Sequence, residues 1–590
     1  MCGIFGYVGA NQAGGDIILD ALRKLEYRGY DSWGVAVGAN GHIDIAKRAG
    51  RIGDAVAELP DAPIGFGHTR WATHGGVTDA NAHPHLDCTG RFAVIHNGII
   101  ENFRGIKDRL LARGHQFHSE TDSEVIAHLV EDAMADDPNR DLISAVRDVF
   151  AQLRGLNAII VLDNRTHQLT AVKNVSPLVL GQGTKGFYLA SDALALVGHA
   201  DRVHYLEDGQ MARLASDGVT LWSAATGASE VPDFQPLTLT ANDTSLGIYP
   251  HFMIKEIHEQ PEVLRKIGSD YSEPVKELAA LIRESYGSFL VGSGTASYAA
   301  LSGSYLFSRI ARRHVNFTVG SEFKYQEHFI TDRSLVIALS QSGETADVIE
   351  SVLAAKQRGA KIAALVNVKG STLDRLADFS IPLGAGPEQC VLSTKAYTAK
   401  LAILLMAAHE LNGSLHVARE LLWQAIDGIE QAIAPDSANL IRAIAARIVQ
   451  REHAFIIGRG LSYPTALEAA LKIKEVSYMH AEGFAGGELK HGVIALVEQG
   501  TPAIVFSPND ETRDDILSGA MEMRSRGALT IGVSPVNDDT FDEFIPVADV
   551  GDASPIVNVI PAQLLGYELA LLRGHDPDKP RNLAKSVTVK

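Results

Sequence analysis

A chain of 590 residues is too long for a single hydrophobic core, so we expect about three or four domains. The hydrophobic content of 46% is typical of a globular protein, and the net charge of −18 argues against binding to nucleic acid. The three cysteines (Cys2, Cys88 and Cys390) argue against a disulfide framework, and no leader or membrane-length apolar run is found, which predicts a cytoplasmic protein without a membrane segment.

Residues 1–230 alternate short strands with a few helices, as in a layered α/β domain. We expect, in chain order, a strand at 4–8, a helix at 17–25, a strand at 92–95 and a hairpin at 157–172 that turns at Asp163-Asn164. Ser119 or Thr121 is expected to cap a further helix, with Glu124 closing a capping box.

The second half contains an internal duplication. Apolar strands at 288–291 and 454–457 are each followed by a loop with two glycines and a helix, and further strand–helix units follow, such as 335–339 and 362–366. This pattern predicts two doubly wound parallel sheets. Neither glycine loop completes Gly-x-Gly-x-x-Gly, so binding of a nicotinamide cofactor is not supported. The expected domains are 1–230, a linker at 231–248, two similar domains at 249–430 and 431–574, and a tail at 575–590.

Cys2 is the first candidate catalytic residue. Removal of Met1 would give Cys2 a free α-amino group beside its thiol, and this amine can take the thiol proton. On its own the hexapeptide MCGIFG favours a buried strand, since a free cysteine is usually buried.

Three later segments supply an arginine, an amide beside a glycine, and a carboxylate. They are GHTRWATHG at 67–75, HNGIIEN at 96–102 and SETDSE at 119–124. Such groups can hold a free amino acid while its side-chain amide is attacked. Taken singly, Asn97-Gly98 also fits a hairpin turn, and Asp122 also fits a helix N-terminus.

With Cys2, these segments resemble the glutaminase domain of the N-terminal-nucleophile (class II) amidotransferases, whose fold places two sheets between helices (αββα). The resemblance implies that Cys2 attacks the glutamine amide, while the Asn97 side chain and the Gly98 N–H form the oxyanion hole. It also implies a glutamine site formed by Arg70 for the α-carboxylate, Asp122 for the α-ammonium, and Thr73, His74 and Trp71 as its lining.

SQSGET at 340–345 follows a strand and precedes a helix. Hydroxyls and free N–H groups at a helix N-terminus can bind phosphate, although a capping box of Ser342 and Thr345 would give the same pattern. The segment resembles the phosphate loop of sugar isomerase (SIS) domains. The implied sugar-phosphate site consists of Thr295, Ser340, Gln341, Ser342, Thr345, Val391, Ser393, Lys472 and Ala584.

In the second of the two similar domains, Glu468, Lys472 and Glu475 share one face of a predicted helix, which we expect to continue through residues 478–482. A solvated salt-bridged face is the ordinary interpretation of such spacing. The resemblance instead implies that Glu475 moves a proton between C1 and C2 of the sugar and that Lys472 supports the intermediates.

The whole chain, in this domain order, is similar to the glutamine-dependent amidotransferases of amino-sugar synthesis. The resemblance implies conversion of fructose 6-phosphate and glutamine into glucosamine 6-phosphate and glutamate, with ammonia channelled between the sites. It implies a Schiff base at Lys585, and ring opening assisted by His491 from the neighbouring subunit of a homodimer. Neither a metal nor an organic cofactor is expected, because no Cys/His spacing resembles a zinc site and the His83-Pro-His85 pair is too few ligands.

Three positions depart from the family's pattern: Trp33, Ala296 and Cys390. Three other functions fit parts of the chain. A different amidotransferase would share only the first half, and an isomerase or deaminase using free ammonia would not need Cys2. A sugar-phosphate sensor would not need Glu475 or Lys585.

Overall fold

The computed structural model describes residues 2–39, 41–136 and 140–587, and the chain forms two compact units. The N-terminal unit extends to Ser245 and also contains the chain from Ala584 onward, whereas the second unit comprises Leu246–Leu583. Met1 and residues 588–590, which belong to the predicted nucleophile segment and tail, lie outside the described residues.

Two antiparallel sheets form the centre of the N-terminal unit. Their strands are β1 (Gly3–Ala13), β2 (Ser32–Ala39), β3 (His42–Ala49), β4 (Ala62–Arg70), β5 (His85–Leu86), β6 (Phe92–Gly98), β7 (Asn157–Asp163), β8 (Gln168–Asn174), β9 (Val179–Gly183), β10 (Gly186–Ala190), β11 (Arg202–Tyr205), β12 (Gln210–Ala215), β13 (Gly218–Ser223), β14 (Ser229–Glu230) and β15 (Gln235–Pro236). The helices are α1 (Gly15–Arg23), α2 (Phe103–Ala112), α3 (Glu124–Ala135), α4 (Leu142–Phe150) and α5 (Ala241–Thr244). The strand orders are β15-β11-β9-β10-β1-β4-β2-β3 and β14-β13-β12-β8-β7-β6-β5.

Successive side chains of β1 point to opposite faces of its sheet, and this places them in two different layers of the unit. Ile4 and Val8 lie between the two sheets, whereas Phe5 points to the outer face and packs in one cluster with Ile18 of α1. Helices α2, α3 and α4 cover the outer face of the other sheet in a cluster that includes Val94 of β6. The predicted αββα architecture is therefore confirmed.

The predicted start of α3 was wrong. The helix begins at Glu124, and the Thr121 hydroxyl bonds His85 Nε2 at 3.1 Å instead of capping the helix. The Glu124 carboxylate accepts hydrogen bonds from the N–H and the hydroxyl of Ser119, both at 2.7 Å, so it fixes the preceding loop. The S/T-x-x-E pattern therefore does not form a capping box here, because Glu124 binds Ser119, five residues earlier.

The second unit contains two parallel sheets. Its strands are β16 (Gly287–Gly292), β17 (Asn316–Val319), β18 (Ser334–Ser340), β19 (Lys361–Val366), β20 (Phe379–Pro382), β21 (His453–Gly458), β22 (His480–Ala485), β23 (Pro502–Phe506), β24 (Leu529–Ser534) and β25 (Glu543–Pro546). Its helices are α6 (Phe252–Asp270), α7 (Ser272–Glu284), α8 (Thr295–Arg309), α9 (Gly320–Phe323), α10 (Ala346–Gln357), α11 (Thr372–Leu376), α12 (Lys395–Leu411), α13 (Leu415–Ala432), α14 (Pro435–Ile448), α15 (Ser462–Ser477), α16 (Arg513–Arg524) and α17 (Ser554–Leu572).

The two sheets have the same topology, which confirms the predicted duplication. Their orders are β17-β16-β18-β19-β20 and β22-β21-β23-β24-β25, with all neighbours parallel. One continuous hydrophobic cluster joins them and includes residues of α12 and α17. Among the described residues, 551–572 form the one helical stretch long and apolar enough to cross a membrane, yet 89% of the stretch is buried inside the protein, as in a core helix.

The predicted continuation of α15 through residues 478–482 was wrong. The helix ends at Ser477, Tyr478 adopts a left-handed conformation with φ of 57°, and the chain enters β22 at His480. A left-handed residue commonly ends a helix, but glycine usually occupies that position, so the tyrosine gave no stop signal.

Candidate active site

One pocket of the N-terminal unit brings together most of the predicted glutamine-site residues. Its lining consists of Cys2, Arg70, Trp71, Thr73, His83, His96, Asn97, Gly98, Thr121, Asp122 and Ser123. Cys2 precedes β1, while Arg70 ends β4 and Gly98 ends β6, so the pocket forms where these strands begin or end.

The thiol of Cys2 lies against the backbone of Trp71. The Trp71 N–H donates to Sγ at 3.2 Å, and Sγ lies 3.7 Å from the Trp71 carbonyl oxygen. Burial raises the pKa of the Cys2 thiol. A base is therefore needed before this sulfur can attack a carbonyl carbon.

Asn97 is oriented by His68. Nε2 of His68 lies 3.0 Å from Asn97 Oδ1 and 3.1 Å from the carbonyl oxygen of His96, and because carbonyl oxygens only accept, this nitrogen carries the proton. Burial lowers the pKa of His68 to about 3, so the ring stays neutral. With its oxygen fixed, Asn97 donates its Nδ2 to the carbonyl oxygen of Cys2 at 2.9 Å.

Gly98 follows Asn97 in a conformation that suits only glycine. Its φ is 140°, and a Cβ added there would lie 1.8 Å from the carbonyl oxygen of Leu156. Only a residue without a side chain fits at position 98, and this leaves the Gly98 backbone at the wall of the pocket.

The guanidinium of Arg70 is anchored by the loop after β4. It donates to the carbonyl oxygens of His74, of Gly75 at 3.1 Å and of Gly76 at 3.1 Å. The remaining N–H groups suit a carboxylate ligand. The imidazole of His74 is absent from the pocket lining given above and packs on Phe103 with a ring separation of 5.2 Å, so His74 supports Arg70 through its backbone.

Asp122 lies two residues before α3. Its Oδ2 accepts a hydrogen bond from the Ile100 N–H at 2.7 Å, and the hydroxyl of Ser123 lies 3.4 Å from Oδ1. A carboxylate with further lone pairs at the pocket wall suits an ammonium group. Arg70 and Asp122 together match the two charges of a free α-amino acid.

Four lining residues were missed by sequence reasoning: His83, His96, Thr121 and Ser123. Nδ1 of His96 lies 2.8 Å from the Ser123 hydroxyl, and the rings of His68 and His83 stack at 4.2 Å. Burial lowers the pKa of each of these three histidines and lowers that of His85 to about 3. The HPH motif at 83–85 is the sequence signal for two of these buried histidines.

In the second unit, predicted sugar-phosphate residues follow two adjacent parallel strands. Thr295 begins α8 after β16, and Ser340 ends β18. The strand order reverses beside β16, which is where open α/β sheets bind ligands.

The loop at 340–345 is held by its own hydroxyl groups. Ser340 Oγ accepts from the Gly343 N–H at 2.9 Å, and Ser342 Oγ accepts from the Glu344 N–H at 3.1 Å. Thr345 is the N-cap of α10 and makes no side-chain cap hydrogen bond. The predicted alternative, a capping box of Ser342 and Thr345, is therefore not formed.

Lys472 is the centre of a buried polar network. Its Nζ lies 2.8 Å from Glu475 Oε2, 3.5 Å from Glu468 Oε1, 3.0 Å from the Thr295 hydroxyl and 3.4 Å from the Ser393 carbonyl oxygen. Burial alone would lower the pKa of Lys472, but the two carboxylates outweigh it and hold that pKa above its usual range. Burial raises the pKa of Glu468, whereas the Glu475 side chain is 19% exposed and so accessible to a ligand.

The segment before α12 is fixed by the Glu388 carboxylate and by the backbone of Asp578. Glu388 accepts from the Thr394 N–H at 2.9 Å and from the Ser393 hydroxyl at 3.1 Å. Val391 donates its N–H to the carbonyl oxygen of Asp578 at 3.0 Å, and the Asp578 carboxylate accepts from the N–H groups that open α6. The first part of the predicted tail is thus attached to this unit.

Three predicted residues of the sugar site, His491, Ala584 and Lys585, are not part of the network around Lys472. His491 is exposed at the end of a short 3-10 helix that follows β22. Ala584 and Lys585 belong to the compact unit that contains the glutamine pocket, not to the unit that contains Lys472 and Glu475.

The three positions that depart from the family's pattern are all buried. Trp33 is buried in β2 within the outer hydrophobic cluster of the N-terminal unit. The Ser297 hydroxyl, beside Ala296, donates to the Gly294 carbonyl oxygen at 2.7 Å, and Cys390 Sγ lies 3.5 Å from the Pro577 carbonyl oxygen.

Comparison with protein families assigns a different domain type to each of the two compact units. Residues 68–198 match a glutamine amidotransferase domain, and residues 281–410 and 447–573 each match an SIS domain. The fold, the pocket and these matches define a glutamine amidotransferase joined to two sugar isomerase domains.

Curated proteins that match the chain over its full length identify the family more closely. The glutamine–fructose-6-phosphate aminotransferase (isomerizing) of Thermococcus kodakarensis is 43% identical over 606 residues, and that of Thermus thermophilus is 41% identical over 610 residues, each covering all of both chains. The solved C-terminal domain of glucosamine-fructose-6-phosphate aminotransferase from Francisella tularensis is 35% identical, with a TM-score of 0.53 over 57% of this chain and 99% of its own. The chain belongs to the isomerizing glutamine–fructose-6-phosphate aminotransferase family.

Proposed function

We propose that the chain makes D-glucosamine 6-phosphate and L-glutamate from D-fructose 6-phosphate and L-glutamine. It is an isomerizing glutamine–fructose-6-phosphate transaminase. The observation that carries the proposal is the grouping of Cys2, Asn97, Arg70 and Asp122 around one pocket, in a full-length relative of these enzymes.

In the glutaminase half, Arg70 holds the α-carboxylate and Asp122 the α-ammonium of glutamine. Cys2 attacks the side-chain carbonyl carbon after its α-amine takes the thiol proton. Nδ2 of Asn97 and the Gly98 N–H stabilise the oxyanion, ammonia leaves, and water hydrolyses the thioester to glutamate. Trp71 and Thr73 line the site.

In the isomerase half, the loop at 340–345 binds the phosphate group. The sugar lies near Thr295, Val391, Ser393 and Lys472, with Ala584 contributed by the tail. Lys585 forms a Schiff base with the open-chain ketone, which ammonia then replaces. Glu475 takes a proton from C1 and returns it to C2, which converts the 2-imine into the 2-amino aldehyde.

The chain acts as a homodimer in this proposal. His491 is exposed, which fits a residue that assists ring opening in the neighbouring subunit. Ammonia passes from the glutamine site to the sugar without mixing with solvent. The proposed location is the cytoplasm, and neither nucleic acid nor a membrane takes part.

Mass detection of the products tests the reaction. The chain should form glucosamine 6-phosphate from the two substrates, and Cys2→Ala should lose glutamine hydrolysis while fructose 6-phosphate still binds. Cys390→Ala is the matched control and should hydrolyse glutamine normally. Glutamine hydrolysis by Cys2→Ala at the parent rate would show that the nucleophile is a different residue.

A further inference from the structure

We propose that Cys88, His115, His128 and Glu131 form a structural zinc site in the N-terminal unit. Cys88 lies between β5 and β6, His115 follows α2, and the other two residues lie on α3. One sulfur, two ring nitrogens and one carboxylate oxygen converge so that all lie within 4.8 Å of one another.

The spacing of these atoms fits a tetrahedral ion. Cys88 Sγ lies 3.7 Å from His115 Nδ1 and 3.5 Å from His128 Nδ1, while Glu131 Oε2 lies 3.0 and 3.2 Å from the same two nitrogens. Zinc bonds of about 2.0–2.3 Å in tetrahedral geometry separate ligand atoms by about 3.3–3.6 Å. Small adjustments would therefore place all four atoms at bonding distance.

The second ring nitrogens of both histidines face carboxylates. Nε2 of His115 lies 2.8 Å from Asp132 Oδ1, and Nε2 of His128 lies 3.8 Å from Glu124 Oε1. A neutral imidazole has one N–H, so a neutral His115 donates to only one of Glu131 and Asp132, whereas an imidazolium would donate to both. A metal on Nδ1 would leave the Nε2 proton for Asp132, and metal-bound histidines commonly donate their other ring N–H to a carboxylate.

Charge and sulfur chemistry favour zinc. A thiolate and a carboxylate neutralise a divalent ion, and the set of one sulfur, two imidazoles and one carboxylate suits Zn²⁺. The Gln116 N–H also donates toward Cys88 Sγ at 3.4 Å, which supports a thiolate. Four protein ligands complete the coordination, so the site has a structural role.

The position of the cluster suggests what it stabilises. His128 and Glu131 lie on α3, which directly follows Asp122 and Ser123 of the glutamine pocket. A bound ion would tie this helix to the Cys88 turn and to the end of α2. No Cys/His spacing in the sequence resembles a zinc site, because the four ligands come from three separate segments and only His128 and Glu131 are close in the chain.

Metal analysis and cobalt substitution test the site. The full chain, purified with zinc and then desalted, should retain about one zinc per chain. After chelation, Co²⁺ should give a thiolate charge-transfer band that Cys88→Ser loses and Cys390→Ser keeps. Asp132→Asn, which removes the carboxylate behind His115 together with its ion pair to Arg113, should weaken zinc binding about 10- to 100-fold.

Two results would overturn the proposal. One is zinc far below one equivalent per chain after reconstitution of a folded sample. The other is a cobalt charge-transfer band that persists in Cys88→Ser, which would assign the thiolate ligand to Cys2 or Cys390. The cobalt spectrum of Cys88→Ser is the deciding measurement, because Cys88 is exposed and its replacement by serine is conservative.

Discussion

The side-chain amide of Asn97 donates a 2.9 Å hydrogen bond to the backbone oxygen of Cys2. The same nitrogen is the proposed oxyanion donor, so it is already directed at the residue whose sulfur would attack. We expect Asn97→Ala to lower kcat for glutamine hydrolysis about 10²- to 10³-fold with a smaller change in KM. Steady-state kinetics measure this, and a change confined to KM would contradict the role.

Trp71 should affect coupling more than hydrolysis. Trp71 lines the glutamine pocket, its indole contacts Tyr30 edge-on at 5.6 Å, and its backbone N–H donates to the Cys2 sulfur. We expect Trp71→Ala to retain substantial glutaminase activity but to form more glutamate than glucosamine 6-phosphate. The product ratio is the measurement, and Trp71→Phe is the control. An unchanged ratio in Trp71→Ala would remove this side chain from ammonia transfer.

The buried histidines should make the N-terminal unit sensitive to acid. The pKa of His68 and that of His85 lie near 3 in the folded state, against 6.5 for an ordinary histidine. Between these values the unfolded chain binds more protons, so the free energy of unfolding falls as pH falls, by up to about 1.4 kcal/mol per pH unit for each histidine.

Urea unfolding of this unit between about pH 6.5 and pH 4.5 measures the slope. His85→Gln, which can keep the hydrogen bond to Thr121, should reduce the slope by the share of one histidine. A slope of zero in the parent protein would mean that these rings are protonated in the fold.

Lys472 should matter for stability as well as for the sugar. Removing one partner of a buried ion pair leaves the other charge uncompensated, so Lys472→Met should lower the free energy of unfolding of the second unit by about 3–5 kcal/mol. Adding Glu468→Gln should recover part of that loss, because the buried carboxylate is then replaced by a neutral amide. Equal stability of the single and double variants would contradict the coupling.

Lys585 is tested by its own chemistry. Lys585→Arg keeps the positive charge but has no nucleophilic amine at neutral pH, so we expect synthesis to collapse while glutaminase activity continues. Borohydride with fructose 6-phosphate should trap an adduct on Lys585 in the parent protein alone, and Lys579→Arg is the matched tail variant. An adduct on another lysine would refute the assignment.

Patterns local in the chain allowed prediction, and contacts distant in the chain did not. The strands around Cys2 and Asn97 were predictable because strand alternation and the Asn-Gly step are short-range signals. The end of α15 was missed because Tyr478, with its positive φ, occupies a place that usually holds glycine. His68 was not identified as the partner of Asn97, because only the fold brings their strands together.

The Asp578 carboxylate accepts hydrogen bonds of 2.7 Å from the N–H groups of Phe252 and Met253, so the beginning and the end of the second unit meet at one point. A unit whose entry and exit coincide can be inserted into another chain, or circularly permuted, without stretching either connection. The second unit should therefore tolerate new termini in one of its exposed loops once its present ends are linked.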